Sequence, residues 1–190
     1  MPIAKSTMGE TVQAGVGKSS QEQERGGFGG VFTVTCFDAD GNLKWEDSFH
    51  NLVVNVGLQD LNTQYFKGSG YTAAWYLGLV TGPGSGVTYA ASDTLSSKSW
   101  TEFTNYTGSR KLVSFGTATT ADPSVISNSA SQAAYTISGG GGTVAGAFLC
   151  TVASGTSGTL FSEGNFTGGD KIVAAGDTLN VTYTFNADAV

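Results

Sequence analysis

Between residues 31 and 185 the chain runs in short alternations of apolar and polar residues, broken about every ten residues by Gly, Ser, Asp or Asn. The clearest run is 178–185. Leu179, Val181, Tyr183 and Phe185 fall on one parity; Thr178, Asn180, Thr182 and Thr184 fall on the other. Successive side chains of an extended chain point to opposite faces, so this run is a strand with one face in a core. With 28 glycines among 190 residues and only 3 prolines, the chain has turns in abundance.

The same reading predicts strands over 31–37, 43–49, 74–80, 101–106, 111–116, 132–137, 143–152, 159–166 and 171–174. The segment Asp38-Ala39-Asp40-Gly41-Asn42 joins the first two as a hairpin turn. One helix is predicted over 57–66, where Leu58, Leu61, Tyr65 and Phe66 make a single apolar face. Residues 82–100 and 117–131 read as loops. No strand–helix–strand alternation recurs. The expected fold is therefore all-β: an antiparallel β-sandwich, jelly-roll-like, with one short helix.

Residues 1–27 differ in kind. Ile3, Met8, Val12 and Val16 are their scattered apolar side chains, and Lys5, Lys18 and Arg25 balance Glu10, Glu22 and Glu24. Such a segment buries too little to fold alone. It is expected to be an extended arm of a domain covering 28–190, with Gly26-Gly27-Phe28-Gly29-Gly30 as its hinge. The arm's expected role is to order on a partner through Ile3, Met8, Val12, Val16 and Phe28.

Charge narrows the partners. The net charge is −6, and charged residues make up only 13%. Only Arg110 and Lys111 stand together as a basic pair, too little for a phosphate backbone. No apolar run approaches the length of a membrane helix, and no apolar leader is recognisable near residue 1. Neither nucleic acid nor membrane is expected as a partner. Synthesis and use without export is the expectation. A surface with so few charges suits burial in an assembly.

Candidate chemistry is thin. His50 is the single histidine, so a nucleophile–histidine constellation would have to form around it. Glu46 and Asp47 are adjacent in one strand and point to opposite faces, which does not suit paired-carboxylate hydrolysis. Asp38, Asp40 and Asn42 begin like a calcium loop, but Phe49 stands where the bidentate Glu is required. Gly139-Gly140-Gly141-Gly142 is not followed by the residues of a phosphate loop. Asn105, Asn165 and Asn180 head Asn-x-Thr triplets that read as strand and turn residues. Cys36 and Cys150 lie in apolar runs and read as buried free thiols; a disulfide would need their strands to be neighbours. No catalytic residue, cofactor or metal is expected.

Several runs together carry a resemblance: Asp40-Gly41-Asn42-Leu43-Lys44-Trp45-Glu46 leading to Phe49-His50-Asn51-Leu52-Val53; Ala73-Ala74-Trp75-Tyr76-Leu77-Gly78-Leu79-Val80; Tyr89 to Leu95; Trp100-Thr101-Glu102; and Gly176 to Phe185. Over residues 31–186 the chain resembles small virion structural proteins of tailed bacteriophages. The resemblance implies a structural role without catalysis. The expected function is capsid decoration, or cement, on the virion exterior. The expected partners are the major capsid protein and the chain itself, as a dimer or trimer. Two alternatives are a tail or fibre component, reading a host receptor through loops 82–100 and 117–131, and a virion-borne polysaccharide hydrolase.

Overall fold

A computed structural model describes residues 27–67, 74–84 and 87–188. Ile3, Met8, Val12 and Val16 lie outside the described residues. Among those described, two antiparallel sheets face each other as a β-sandwich, with one helix.

The first sheet is built on β1 (Phe28–Phe37), flanked by β2 (Leu43–His50) and β12 (Thr178–Ala187). β1 and β12 pair over ten residues, from Phe28 opposite Ala187 to Phe37 opposite Thr178. Two short strands, β7 (Ser124–Ser127) and β8 (Ala133–Thr136), share the other edge of β12. The second sheet runs β3 (Leu52–Val53), β10 (Leu160–Asn165), β9 (Gly142–Cys150), β4 (Tyr76–Thr81), β5 (Glu102–Phe103). β6 (Lys111–Leu112) also pairs with β4, and β11 (Lys171–Val173) with β9.

The alternation foreseen in the sequence sets the main core. Phe32, Val34 and Cys36 of β1 and Leu179, Val181 and Tyr183 of β12 point inward, against Leu77, Leu79, Ala147 and Leu149 of the second sheet. Tyr135 ties the layers: its hydroxyl, fully buried, donates to Leu77 O at 2.6 Å. Cys36 and Cys150 are buried free thiols on different sheets. Burial lifts the Cys36 thiol to about 11, with the Asp177 carboxylate adding to the rise.

A second, smaller core lies on the outer side of the second sheet. β9 and β10 are buried on both faces because residues 87–100 lie over them as a strap. Leu95 and Trp100 of the strap are buried with Val80, Phe148 and Leu160. Gly78 is what lets the Phe148 ring lie flat there, since a Cβ at that position would sit 2.2 Å from the ring.

Four expectations change. The hinge at 26–30 does not extend past Gly27: Phe28, Gly29 and Gly30 are strand residues in register with β12. Gly30 is there for close packing, because a Cβ would meet Thr184 O at 2.7 Å and the Tyr183 hydroxyl at 2.9 Å. The loop expected at 117–131 contains β7, held by pairing to β12 and by buried Asn128, which accepts from Tyr183 N at 2.6 Å. The strands expected at 101–106 and 111–116 shrink to two residues each, as the chain leaves the sheet to place Tyr106 and Arg110. The strap at 87–100 is not an open recognition loop, because its large apolar side chains face the sheet.

Candidate functional site

The helix α1 (Asn55–Lys67) begins where the chain leaves the second sheet. Val54 N donates to Phe161 O at 3.0 Å, and Leu58 N to Val54 O at 3.1 Å, which seats the first turn against β10. The four-residue apolar face read from the sequence is only half used. Leu58 and Leu61 are partly covered, whereas Tyr65 and Phe66 are 80% and 77% exposed. Their rings pack edge to face at 5.0 Å. Large aromatics left in water beside one another mark a contact surface rather than a core.

Beside Tyr65 lies an apolar groove of about 310 Å³. Leu61 and Tyr65 form its helical wall; Trp75, Leu149 and Phe161 come from the second-sheet side, and Ile126 and Phe185 from the first. The groove is thus the place where the two sheets part and the core opens. A run of rings follows it. Phe28 stacks on Phe185 (6.0 Å, 9° between planes), Phe185 meets Phe161 at 5.6 Å, and Phe161 meets Trp75 at 5.2 Å. Phe28, expected on the arm, therefore stands at the first position of β1, half-exposed, at the start of this aromatic run.

The groove's polar groups are few. Gln64 donates its amide to Asp60 Oδ1 at 3.3 Å, while its Oε1 is buried with no partner among the described residues. The Tyr183 hydroxyl accepts from Asn51 Nδ2 at 2.8 Å and from Ser162 Oγ at 3.2 Å. Burial pushes that phenol well above its ordinary value, so it stays neutral.

The candidates for chemistry do not converge. His50 is exposed at the end of β2. Glu46 lies on the exposed side of β2 and accepts from Thr35 Oγ1 at 3.2 Å. Asp47 lies on the buried side, where it accepts from the backbone of Thr167 and Gly168 and pairs with Lys171 at 3.2 Å. Asp38 is occupied by its own turn: Oδ1 accepts from Asp40 N at 3.0 Å and Asn42 N at 2.8 Å. Arg110 is buried in a two-pronged pair with Glu102, at 2.9 and 2.7 Å, and also donates to Val152 O and Gly155 O. Among the described residues no group of three or more His, Cys, Asp or Glu side chains could hold a metal ion. No helix among them is long and apolar enough to cross a membrane.

One titratable group escaped the sequence reading. Glu163 on β10 is fully buried under the strap, where Oε2 accepts from Trp100 Nε1 at 2.6 Å. Burial raises its carboxyl to about 8; the indole N–H opposes that rise, and the nearby Asp93 carboxylate adds to it. The signal was present: Glu163 is the one acid in the apolar run 159–166. Its partners come from a loop without period, so they could not be read.

In comparisons with known proteins, no family model, no curated protein and no solved structure matches this chain.

Proposed function

We propose that this chain is a structural protein of a tailed-phage virion, acting as a capsid decoration, or cement, protein without catalysis. The observation that carries the reading is the apolar groove with Tyr65 exposed on its helical wall, Phe66 exposed against Tyr65, and Phe28 stacked on the Phe185 that lines it. Exposed aromatics around an apolar cleft are the anchors that protein contacts favour. The resemblance of residues 31–186 to small phage virion proteins supplies the setting. The partner is then the major capsid protein on the outside of the shell, with self-association into dimers or trimers. Cement needs binding energy alone: modest contacts, repeated by the symmetry of a shell, add up to a strong hold.

Purified protein added to expanded, undecorated heads of the encoding phage tests this. Saturable binding is expected, and Tyr65→Ser with Phe66→Ser should lower occupancy at least tenfold. Full occupancy by the double variant would show that another surface makes the contact. Binding to isolated tails or to host glycans, with none to heads, would overturn the decoration reading in favour of a tail component.

A further inference from the structure

We propose that Glu163 and Asp93 share a single proton, and that this proton is the latch holding residues 87–100 on the second sheet. Its release to solvent frees the strap while the rest of the sandwich stays folded. The latch is independent of any virion partner.

Four acids are buried among the described residues: Asp47, Asp93, Glu163 and Asp177. Asp47 is paired with Lys171, and Asp177 with Lys44. Asp93 and Glu163 form no salt bridge among the described residues. Lys98, the strap's own cation, is directed elsewhere: it donates to Leu95 O at 2.8 Å and lies 4.7 Å from the centre of the Trp100 ring. A buried carboxylate without a cation is costly to keep ionised. The hydrogen bonds of Glu163 show the same want. Oε2 accepts from Trp100 Nε1 at 2.6 Å, while Oε1 is buried and meets no donor among the described residues. Protonation turns that oxygen into a donor, and the side chain at hand to accept is the Asp93 carboxylate. Asp93 is itself fixed, accepting from Ala90 N at 3.2 Å. One proton thus serves both carboxyl groups, whereas its loss leaves two negative charges side by side.

Placement makes the pair a latch. Glu163 stands on β10, while Asp93 and Trp100 stand on the strap, so both contacts cross from sheet to strap. The residues flanking Glu163 on β3 and β9, Leu52 and Phe148, carry no charge. Other titratable groups around it are engaged. Tyr89, whose phenol burial holds well above its ordinary value, donates to Asn165 at 2.5 Å; Asp170 accepts from Gly84 N; and Asp60 of α1 accepts from Gln64. Lys98 favours the ionised form of Glu163, but burial of the carboxyl outweighs it. Two further polar ties join the strap to the body, Asn55 N to Ala91 O at 2.7 Å and Tyr89 to Asn165. With the strap closed, the proton stays on up to about pH 8. With the strap off, Glu163 meets water and ionises in the ordinary carboxylate range. Opening therefore becomes easier by up to about tenfold per pH unit between those limits and levels off above about pH 8.

Two measurements on the full chain test this. The first is infrared spectroscopy near neutral pH, where exposed acids are ionised. A protonated-carboxyl C=O band is expected, lost in Glu163→Gln and titrating at lower pH in Asp93→Asn, whose amide can donate to an ionised Glu163. Absence of the band, or a band unchanged in either variant, overturns the shared proton. The second is amide hydrogen exchange, expressed as protection relative to an unstructured chain at the same pH. The Asn55, Ala90 and Asp93 amides should lose up to about tenfold in protection per pH unit between about pH 5 and about pH 8. They should exchange ahead of Val34 and Val181 in the first sheet, and Glu163→Gln should flatten their profile. Equal protection of strap and first sheet at every pH means that the strap leaves only with the whole fold, and overturns the latch. A profile unchanged by Glu163→Gln overturns it as well. Should that variant fail to fold, the band and the exchange profile of the parent chain still decide.

Discussion

Two apolar surfaces flank the second sheet, and they end differently. The outer face of β9 and β10 is sealed by the chain's own residues 87–100, whereas no described residue covers the groove between the sheets beneath α1. Both carry aromatic rings, Trp100 and Phe148 under the strap and Trp75, Phe161 and Phe185 in the groove. What separates them is polar anchoring. The strap is fastened along its length: Ser99 Oγ donates to Thr88 O at 2.6 Å, Ala90 N donates to Asp93 at 3.2 Å, Tyr89 donates to Asn165 at 2.5 Å, and Trp100 donates to Glu163. Each surface leaves one buried acceptor without a donor among the described residues, Glu163 Oε1 under the strap and Gln64 Oε1 at the groove, but the groove has no such run of fastenings and leaves two rings in water. An apolar face is closed by a covering segment only when that segment's own backbone and polar groups are also satisfied.

The sharpest way to break this contrast is Trp100→Ala. It removes a buried ring lying 4.6 Å from Phe148, tilted 39° to it, and strips Glu163 of its donor. Chemical denaturation should show a loss of about 3–5 kcal/mol. A result below about 1 kcal/mol would mean that the strap is not an integral part of the fold. Gly78→Ala attacks the same core from the sheet, where the new methyl meets the Phe148 ring. The expected cost is about 1–3 kcal/mol by the same measurement.

Acidity offers a subtler probe. The folded state holds the Glu163 proton up to about pH 8, while the unfolded state releases it in the ordinary carboxylate range. This group's contribution is therefore fully present below that range and is lost as pH rises through about 8. Thermal melting should fall by a few degrees between about pH 5 and pH 9. Glu163→Gln, which can still accept from Trp100, should flatten that slope. An unchanged slope would place the titration elsewhere.

The smallest stability effect is expected at the groove. Tyr65→Ser with Phe66→Ser should leave unfolding within about 0.5 kcal/mol of the parent, since neither ring is buried. A larger loss would show that these rings support the fold, and would merge the two surfaces into one class.

Legibility followed the range of the contacts. The β1–β2 hairpin, β9, β10 and β12 were readable because their alternation is local and their turns carry Gly, Asp and Asn at the required places. β7 was not. Ser124-Val125-Ile126-Ser127 is too short and polar to stand out, and it exists by pairing with β12. The helix was found, but its apolar face was read too long: the periodicity continues through Tyr65 and Phe66 while the surface beneath them ends. Of the candidate site, Phe28 and the aromatics were visible as residues, but not as a continuous run of rings. Phe28, Phe185, Phe161 and Trp75 are far apart in the chain and meet only across two sheets.

The sequence by itself determined an all-β sandwich, the inward parity of its long strands, and two buried thiols, because side-chain alternation and turn chemistry act between near neighbours in the chain. Only the tertiary structure decided which apolar surface a described segment covers and which none does. That outcome depends on whether a distant segment can lie over a face with its polar groups matched, and no local period records it.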